Sequence, residues 1–509
     1  MKIFNTEDIR IINRKILEIG NETSLELINR TAQGVASEII ARWNPVRPLI
    51  VFAGPGNNGA TAIAVARILF GHGFRPAVYL LNIGGDKLNS NCRNSREALR
   101  SETPEVAFTE VTGNGKFSLP NMTPATLIID GLFGSGLKGQ LTGGFMLLVR
   151  AINDSGATIV SIDVPSGLSG DLCADGIDRN TIHADLTLAV QFPRPAFFMK
   201  ENQALIGEWK TLDIGLDPEV IRSTPNRYHF TEASEIKSLL RARKPFSSKA
   251  DYGSALLIAG SYGMMGAAVL AARGALRAGV GKLTVHAPQC GYEILQSAVP
   301  EAMFEADTDK NKLVIGNMKS LKDFSAIGIG CGIGTHEITE NALEQFLQST
   351  SRPVVLDADA LNCIARRPTL INNVPALSVL TPHAKEFDRI FGDQPTDEAR
   401  LLKAIEVAHK YDILILLKGR YTTLVRCDRM VYFNSTGCPA MATPGSGDVL
   451  TGVITALMAQ GYKPEISALI GAYIHGLAGE IAQETQGEYG VTAGDIAANI
   501  GVAIKNILR

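Results

Sequence analysis

No stretch of the 509-residue chain approaches the ~20 consecutive apolar residues that a membrane span needs, so no membrane partner is expected. Charge of one sign is also missing. Lys+Arg 49 against Asp+Glu 51 leaves a formal charge of -2, which gives no electrostatic reason to expect nucleic acid or an anionic surface. The seven cysteines are scattered, odd in number and free of any C-x-x-C, which argues against a structural zinc and fits reduced thiols in a cytosol. The opening MKIFNTEDIRIINRK has acidic residues and no apolar core of signal-peptide type, and a cytoplasmic location is expected. The P-loop pattern G-x-x-x-x-G-K-[ST] is absent. The two halves share no detectable sequence repeat.

What is present is a soluble composition, 45% hydrophobic and 20% charged, on a chain too long for one ordinary core. Apolar runs at Leu49–Ala53, Ala77–Leu81, Leu127–Ile129 and Ile159–Ile162 read as strands, and Ala62–Gly71 between the first two has helical spacing. Continuous apolar strands separated by helices predict a parallel sheet covered on both faces. The alternation breaks over Gly215–Asp251, which holds Pro218, Pro225, Pro245, a basic stretch and one helix-like piece, Ala233–Leu240. It resumes with strands at Ala255–Ala259, Lys282–His286, Ala326–Ile329, Val354–Leu356, Ser378–Leu380 and Ile413–Leu417. Gly263–Gly279, Asp448–Gln460 and Ile466–Gln483 read as helices. The expected fold is α/β in two domains, 1–225 and 226–509. In both, polar motifs follow the carboxyl ends of the strands, where open α/β sheets bind ligands.

In the second half the most specific stretch is Pro439–Gly452, PAMATPGSGDVLTG. Glycines let backbone approach a ligand, and the free N–H groups of a helix start attract anions. An aspartate set there, Asp448, has a use in accepting a proton from an attacking hydroxyl, although an Asp near a helix cap is common. Lys418-Gly419, His383 with Glu386, Gly330–Gly334 and Asp357–Leu361 end four further apolar runs.

These motifs, with Gly260–Ala268 and His475–Glu480, resemble the ribokinase-like superfamily, and more narrowly the ADP-dependent NAD(P)H-hydrate dehydratases, over about 226–509. The resemblance implies removal of water from hydrated NADH or NADPH. ADP phosphorylates the hydroxyl and phosphate is then expelled, leaving AMP and the restored cofactor. It places Ala268, Gly332, His383 and Asp448 at the hydrate. Lys418, Gly419, Arg420, Tyr421, Thr422 and Gly447 fall at the adenine nucleotide, with Mg2+ accompanying ADP. Asp448 is the implied catalytic base. The family more often has glycine at Pro444 and H-K-G at Ser248–Ala250.

In the first half, GPGNNGATA over Gly54–Ala62 fits G-x-G-x-x-G after a strand. A redox Rossmann domain would end its second strand in an acidic residue, but Asn82 stands there and Asp86 comes late. Two later strands end in Asp130 and Asp163, and Gly134–Gly139 forms a second glycine loop. Asn58, Asp130 and Ser166 are oxygen ligands suited to a hard or monovalent cation.

With Asn21-Glu22, these stretches resemble the NAD(P)H-hydrate epimerases over roughly 1–220, with a Rossmann-like three-layer sandwich. The resemblance implies interconversion of the R and S hydrates. It places Asn57, Asn58, Gly59, Ala60, Thr61, Gly134, Ser135, Gly136, Leu137, Lys138, Gly139, Gln140 and Asp163 at the substrate. K+ falls on Asn58, Asp130 and Ser166, and Asp163 is the proton-transfer residue. Thr61 replaces an aspartate in the family's N-N-G-G-D-G, although its hydroxyl can still donate to a ligand oxygen. The order of halves is that of the fused bacterial repair enzymes. NADHX, NADPHX and ADP are the expected partners, and a homo-oligomer the expected assembly. A rival reading is an ATP-dependent kinase of a vitamin-type hydroxyl whose N-terminal half only binds.

Overall fold

The computed structural model describes residues 1–20, 23–83, 87–113, 117–137, 139–172, 180–315 and 321–509. The chain divides into two compact units, Lys2–Arg227 and Tyr228–Arg509, with Met1 counted to the second.

The first unit is built on β1 (Leu49–Ala53), β2 (Pro76–Asn82), β3 (Ala107–Thr112), β4 (Leu127–Gly131), β5 (Thr158–Ile162), β6 (Leu186–Val190) and β7 (Glu208–Leu212). These seven strands are all parallel, in the order β3-β2-β1-β4-β5-β6-β7. The order reverses between β1 and β4, the switch point at which doubly wound sheets bind ligands. The unbroken apolar run of β1 reflects cover on both faces. Leu49, Val51 and Ala53 pack with Ala32, Val35 and Ile39 of the helix Ser24–Arg42 and with Ile63 of the helix Asn57–Gly71. Ile50 and Phe52 face Leu148, Val149 and Ile152 of the helix Gly143–Asn153. This alternation makes the three layers.

The second unit is built on β8 (Tyr228–Thr231), β9 (Ser254–Ile258), β10 (Lys282–Ala287), β11 (Met303–Ala306), β12 (Ala326–Ile329), β13 (Val355–Leu356), β14 (Val379–Leu380), β15 (Leu414–Leu417), β16 (Thr423–Val425) and β17 (Val431–Asn434). Their order is β8-β17-β16-β15-β14-β13-β12-β9-β10-β11. Only β16 runs against its neighbours. Two helices lie close together over this sheet, Met265–Arg277 and Ser446–Ala459. They touch through glycine: a Cβ on Gly274 would sit 2.4 Å from the Val449 carbonyl oxygen, and one on Gly452 1.9 Å from that of Ala271. Val449, Val453 and Ile454 are fully buried, each stabilising the fold by roughly 1.5–3 kcal/mol. That burial fixes the helix and aims its first turn at the carboxyl ends of β12–β15.

The runs read as strands from their apolar residues are strands. Of those that the sequence did not mark, most are short or half exposed, such as β7, whose residues alternate between exposed and half-buried; β6 is buried, but Thr187 breaks its apolar run. The terminal helix Ala493–Leu508 was likewise unmarked.

Candidate functional sites

The N-terminal cavity is about 690 Å3 and opens where β1, β4 and β5 end. The glycines of the first loop divide the work. A Cβ on Gly54 would lie 1.8 Å from the Leu132 carbonyl oxygen, and one on Gly59 1.8 Å from that of Gly54, so these two permit tight packing. Gly56 meets nothing within 4 Å and lines the cavity, leaving its backbone open to a ligand. It is also the N-cap of the helix Asn57–Gly71, which has no side-chain cap bond, so its first N–H groups are available to an anion.

Asn57, Asn58, Thr61, Gly134, Ser135, Gly136, Leu137 and Asp163 line this cavity. The Asn57 side-chain oxygen accepts from Asn89 at 2.6 Å and from Asn91 at 3.1 Å. The Thr61 hydroxyl donates to the Asn57 carbonyl at 3.0 Å, one turn back, so it is spent on its own helix rather than offered to a ligand. Gly59 and Ala60 face away: both are buried, Gly59 against Gly54 and Ala60 in the core with Ile63. Gly139 and Gln140 are exposed outside the cavity, and Lys138, Asp86 and Asn21-Glu22 lie outside the described residues. Asn82 donates to Glu110 at 2.9 Å, so the second strand end is committed to a neighbouring strand.

Asp163 sits just past β5 at φ 70, a left-handed conformation costly for a side-chain-bearing residue. The Ser135 N–H donates to its Oδ2 at 3.0 Å, and Arg194 donates to its Oδ1. A Cβ on Gly134 would lie 2.9 Å from that Oδ2, so glycine lets the loop close over the carboxylate. Beneath the cavity, Asp130 and Ser166 are fully buried. Asp130 accepts from Ser161 Oγ (2.8 Å), Ser166 N (2.9 Å), Ser166 Oγ (2.5 Å) and Leu132 N (3.2 Å). Burial raises its carboxyl above the usual range, and these neutral donors counter only part of that. Asn58 donates to the Ile162 carbonyl at 3.2 Å.

In the second unit the neighbouring strands β12, β13, β14 and β15 end in Gly330–Gly334, Asp357, Thr381–His383 and Lys418. His383 and Lys418 pair directly across the last two ends. A cavity of about 720 Å3 is lined by His383, Lys418, Gly419, Arg420, Thr422 and Gly447, together with His475 and residues 434–443. The helix start at Ser446 has Gly445 (φ 86) as N-cap with no side-chain cap bond, so N–H groups are again open to an anion.

Lys418 Nζ lies 2.7 Å from Asp357 Oδ1 and 3.7 Å from Glu386. The other Asp357 oxygen accepts from Thr451 at 2.7 Å. A Cβ on Gly447 would come within 3.3 Å of Nζ, so that glycine leaves the ammonium its room. Burial pushes the Asp448 carboxyl up to about 6; the Cys331 thiol, donating to it, and Lys418 pull it down, and Asp357 pushes it up. His475 is buried with Nε2 2.9 Å from the Ser446 carbonyl, and desolvation lowers it to about 4, so the ring is neutral and donates.

Ala268, Gly332, Tyr421 and Asp448 do not line this cavity. Ala268 is fully buried in the core, and its methyl packs under Gly260. Gly332 (φ 65) accepts from Ser261 Oγ at 2.8 Å and abuts Met264, holding two loops together rather than lining the cavity. Tyr421 turns to an edge-on contact with Phe230. His383 lines the cavity but also caps its helix, its Nδ1 accepting the Glu386 N–H at 3.2 Å. Asp448 is partly buried at the helix start and is not itself among the cavity-lining residues. Sequence reasoning missed Arg194, and named His475 only within the His475–Glu480 motif without giving it a role. The first sits in Phe192-Pro-Arg-Pro-Ala196 just past β6, where a cation at a strand end was the available signal.

Two doubly wound units, each with a cavity at a strand-end helix start open to an anion, define a two-site α/β enzyme. A family model for NAD(P)H-hydrate dehydratase matches residues 255–501, and one for the YjeF-related protein N-terminus matches 24–196. Bifunctional NAD(P)H-hydrate repair enzymes of Moorella thermoacetica and Thermofilum pendens are each 30% identical to this chain over 97% of its length, covering 92% and 94% of theirs. An ADP/ATP-dependent NAD(P)H-hydrate dehydratase from Bacillus subtilis, crystallised with ATP and Mg2+, is 30% identical over 98% of its length and 55% of this chain, with a TM-score of 0.49. The chain belongs to the family of bifunctional NAD(P)H-hydrate repair enzymes.

Proposed function

We propose that residues Lys2–Arg227 epimerise the R and S forms of hydrated NADH and NADPH, and that Tyr228–Arg509 dehydrate the S form with ADP, giving AMP and phosphate. The observation that carries the second half is Asp448, a carboxyl raised to about 6 beside an uncapped helix start and Lys418. An ionised Asp448 takes the proton of the substrate hydroxyl as that oxygen attacks the terminal phosphorus of ADP, and the bond to AMP breaks. Phosphate, a far better leaving group than hydroxide, then departs with the carbon–oxygen electron pair, and loss of a ring proton restores the double bond. Lys418, Gly419, Arg420, Thr422 and the Gly447 amide hold the nucleotide, with His383 at its hydrate-facing edge. Among the described residues no group of three His, Cys, Asp or Glu could hold a metal ion, which fits Mg2+ arriving on the phosphates of ADP. Mg2+ supplies charge neutralisation of those phosphates.

In the first unit, Asn57, Thr61 and Gly134–Leu137 form the wall against which the hydrate lies, and Asp163 moves the proton as the hydroxyl leaves and water returns to the opposite face. One buried carboxylate among neutral oxygens, Asp130 with Asn58 and Ser166, suits K+ better than a divalent ion, which needs more charge. The chain works in the cytoplasm as a homo-oligomer. The test is phosphate release from S hydrate. The reading requires turnover with ADP and fails if only ATP supports it or if a vitamin alcohol is phosphorylated instead. For the epimerase half, residues 1–227 alone must convert R to S hydrate.

A further inference from the structure

Arg194 is 2% exposed, yet it lines the N-terminal cavity beside Asp163. One terminal nitrogen, Nη2, is bound to Asp163 Oδ1. Among the described residues, its Nε and Nη1 are buried with no hydrogen-bond partner. Burying a guanidinium with unused donors is unfavourable for folding, and a buried ion pair gives little net stability in return. The local backbone is strained as well. Asp163 (φ 70) and Gln191 (φ 61), at the ends of the adjacent strands β5 and β6, both occupy the left-handed region without being glycine. Arg194 follows Gln191 by three residues and caps the short turn Pro195–Phe198. Gly170 packs against its stem, where a Cβ would stand 3.3 Å from Cγ.

These features converge on one carboxylate. Its Oδ1 is held from one side by Arg194, and its Oδ2 from the other by the Ser135 N–H on the glycine loop. A carboxylate with both oxygens anchored has one orientation. We propose that Arg194 is the positioning residue of the epimerase site: it fixes the orientation of the Asp163 carboxyl at the cavity wall, and does not bind the hydrate itself. The inaccessible Nε and Nη1 support the second clause, because neither reaches the cavity. The inference rests on the epimerase reading of this unit.

The test compares Arg194→Met, Arg194→Lys and Arg194→Ala in the full chain, with R-to-S conversion followed directly. Loss of orientation lowers kcat about 100-fold in Arg194→Met, while KM stays within about threefold because the substrate contacts remain. Lysine, whose ammonium can approach one carboxylate oxygen, recovers about tenfold of that loss, and added guanidinium ion restores activity to Arg194→Ala. A raised KM at unchanged kcat would make Arg194 a substrate ligand and overturn the proposal. So would full activity in Arg194→Met, or a loss that neither lysine nor guanidinium relieves, which marks a structural role. A wild-type chain that does not convert R to S hydrate defeats the epimerase reading itself, an outcome distinct from all of these.

Discussion

In the unit Lys2–Arg227 the carboxylate at the cavity wall, Asp163, carries a guanidinium partner, whereas in Tyr228–Arg509 the one at the helix start, Asp448, is governed by desolvation, which the Cys331 thiol and the nearby charge of Lys418 only partly oppose. The buried carboxylates beneath show the opposite arrangement. Asp357 has a cation built into the chain, Lys418 at 2.7 Å, while the four donors to Asp130 are all neutral. The contrast follows the chemistry. A base for phosphoryl transfer has to hold and release a proton near neutral pH, which burial outweighing a nearby cation achieves. If Asp130 takes a potassium ion as proposed, leaving it without a built-in cation lets the exchangeable ion complete the site.

The contrast can be broken at its strongest point first. Asp448→Asn removes the proton acceptor. Phosphate release from S hydrate with ADP is expected to fall about 10³-fold or more, with epimerisation untouched. The same variant is expected to melt higher, because burial disfavours the ionised aspartate it replaces. Next, Lys418→Met strands Asp357 as a buried unpaired charge. Denaturant unfolding of that unit is expected to show a loss of roughly 3 kcal/mol, and calorimetry weaker ADP binding. Asp130→Asn tests the other pole: a potassium titration of R-to-S conversion is expected to become flat, and an unchanged potassium response would reject the cation site.

The smaller effects concern pH. Dehydration is expected to lose kcat/KM about tenfold per unit below pH 6, since Asp448 must be ionised to act. His475 acts on stability in the same direction. Its folded value, about 4, lies below the 6.5 of a free imidazole, so its contribution is complete above pH 6.5 and is lost as pH falls toward 4. That loss is roughly 3 kcal/mol, and His475→Gln, which keeps a donor for the Ser446 carbonyl, is expected to flatten the acid limb of the unfolding curve.

Much of this was legible in the sequence, for identifiable reasons. Interior strands such as Leu49–Ala53 and Ala326–Ile329 are buried on both faces and so are written as unbroken apolar runs. The polar residues that follow them, Asp130, Asp163, Asp357, His383 and Lys418, stand out against those runs. Half-exposed edge strands such as Glu208–Leu212 have no such mark. Glycines were the least legible residues. Gly56 faces a cavity, while Gly59, three residues on, packs against backbone, and only the fold distinguishes them. Thr61 read as a donor to ligand, and its hydroxyl is instead taken by a carbonyl four residues back. Arg194 offered only a cation at a strand end as a signal, because its meaning lies in a partner 31 residues away on the neighbouring strand end.

The most direct test of a two-site repair enzyme supplies the full chain with pure R hydrate and ADP. The account predicts reduced nicotinamide, AMP and phosphate in equal amounts, formed faster than uncatalysed epimerisation allows. In Asp448→Asn it predicts S hydrate accumulating in their place. Wild-type turnover no faster than uncatalysed epimerisation would contradict it.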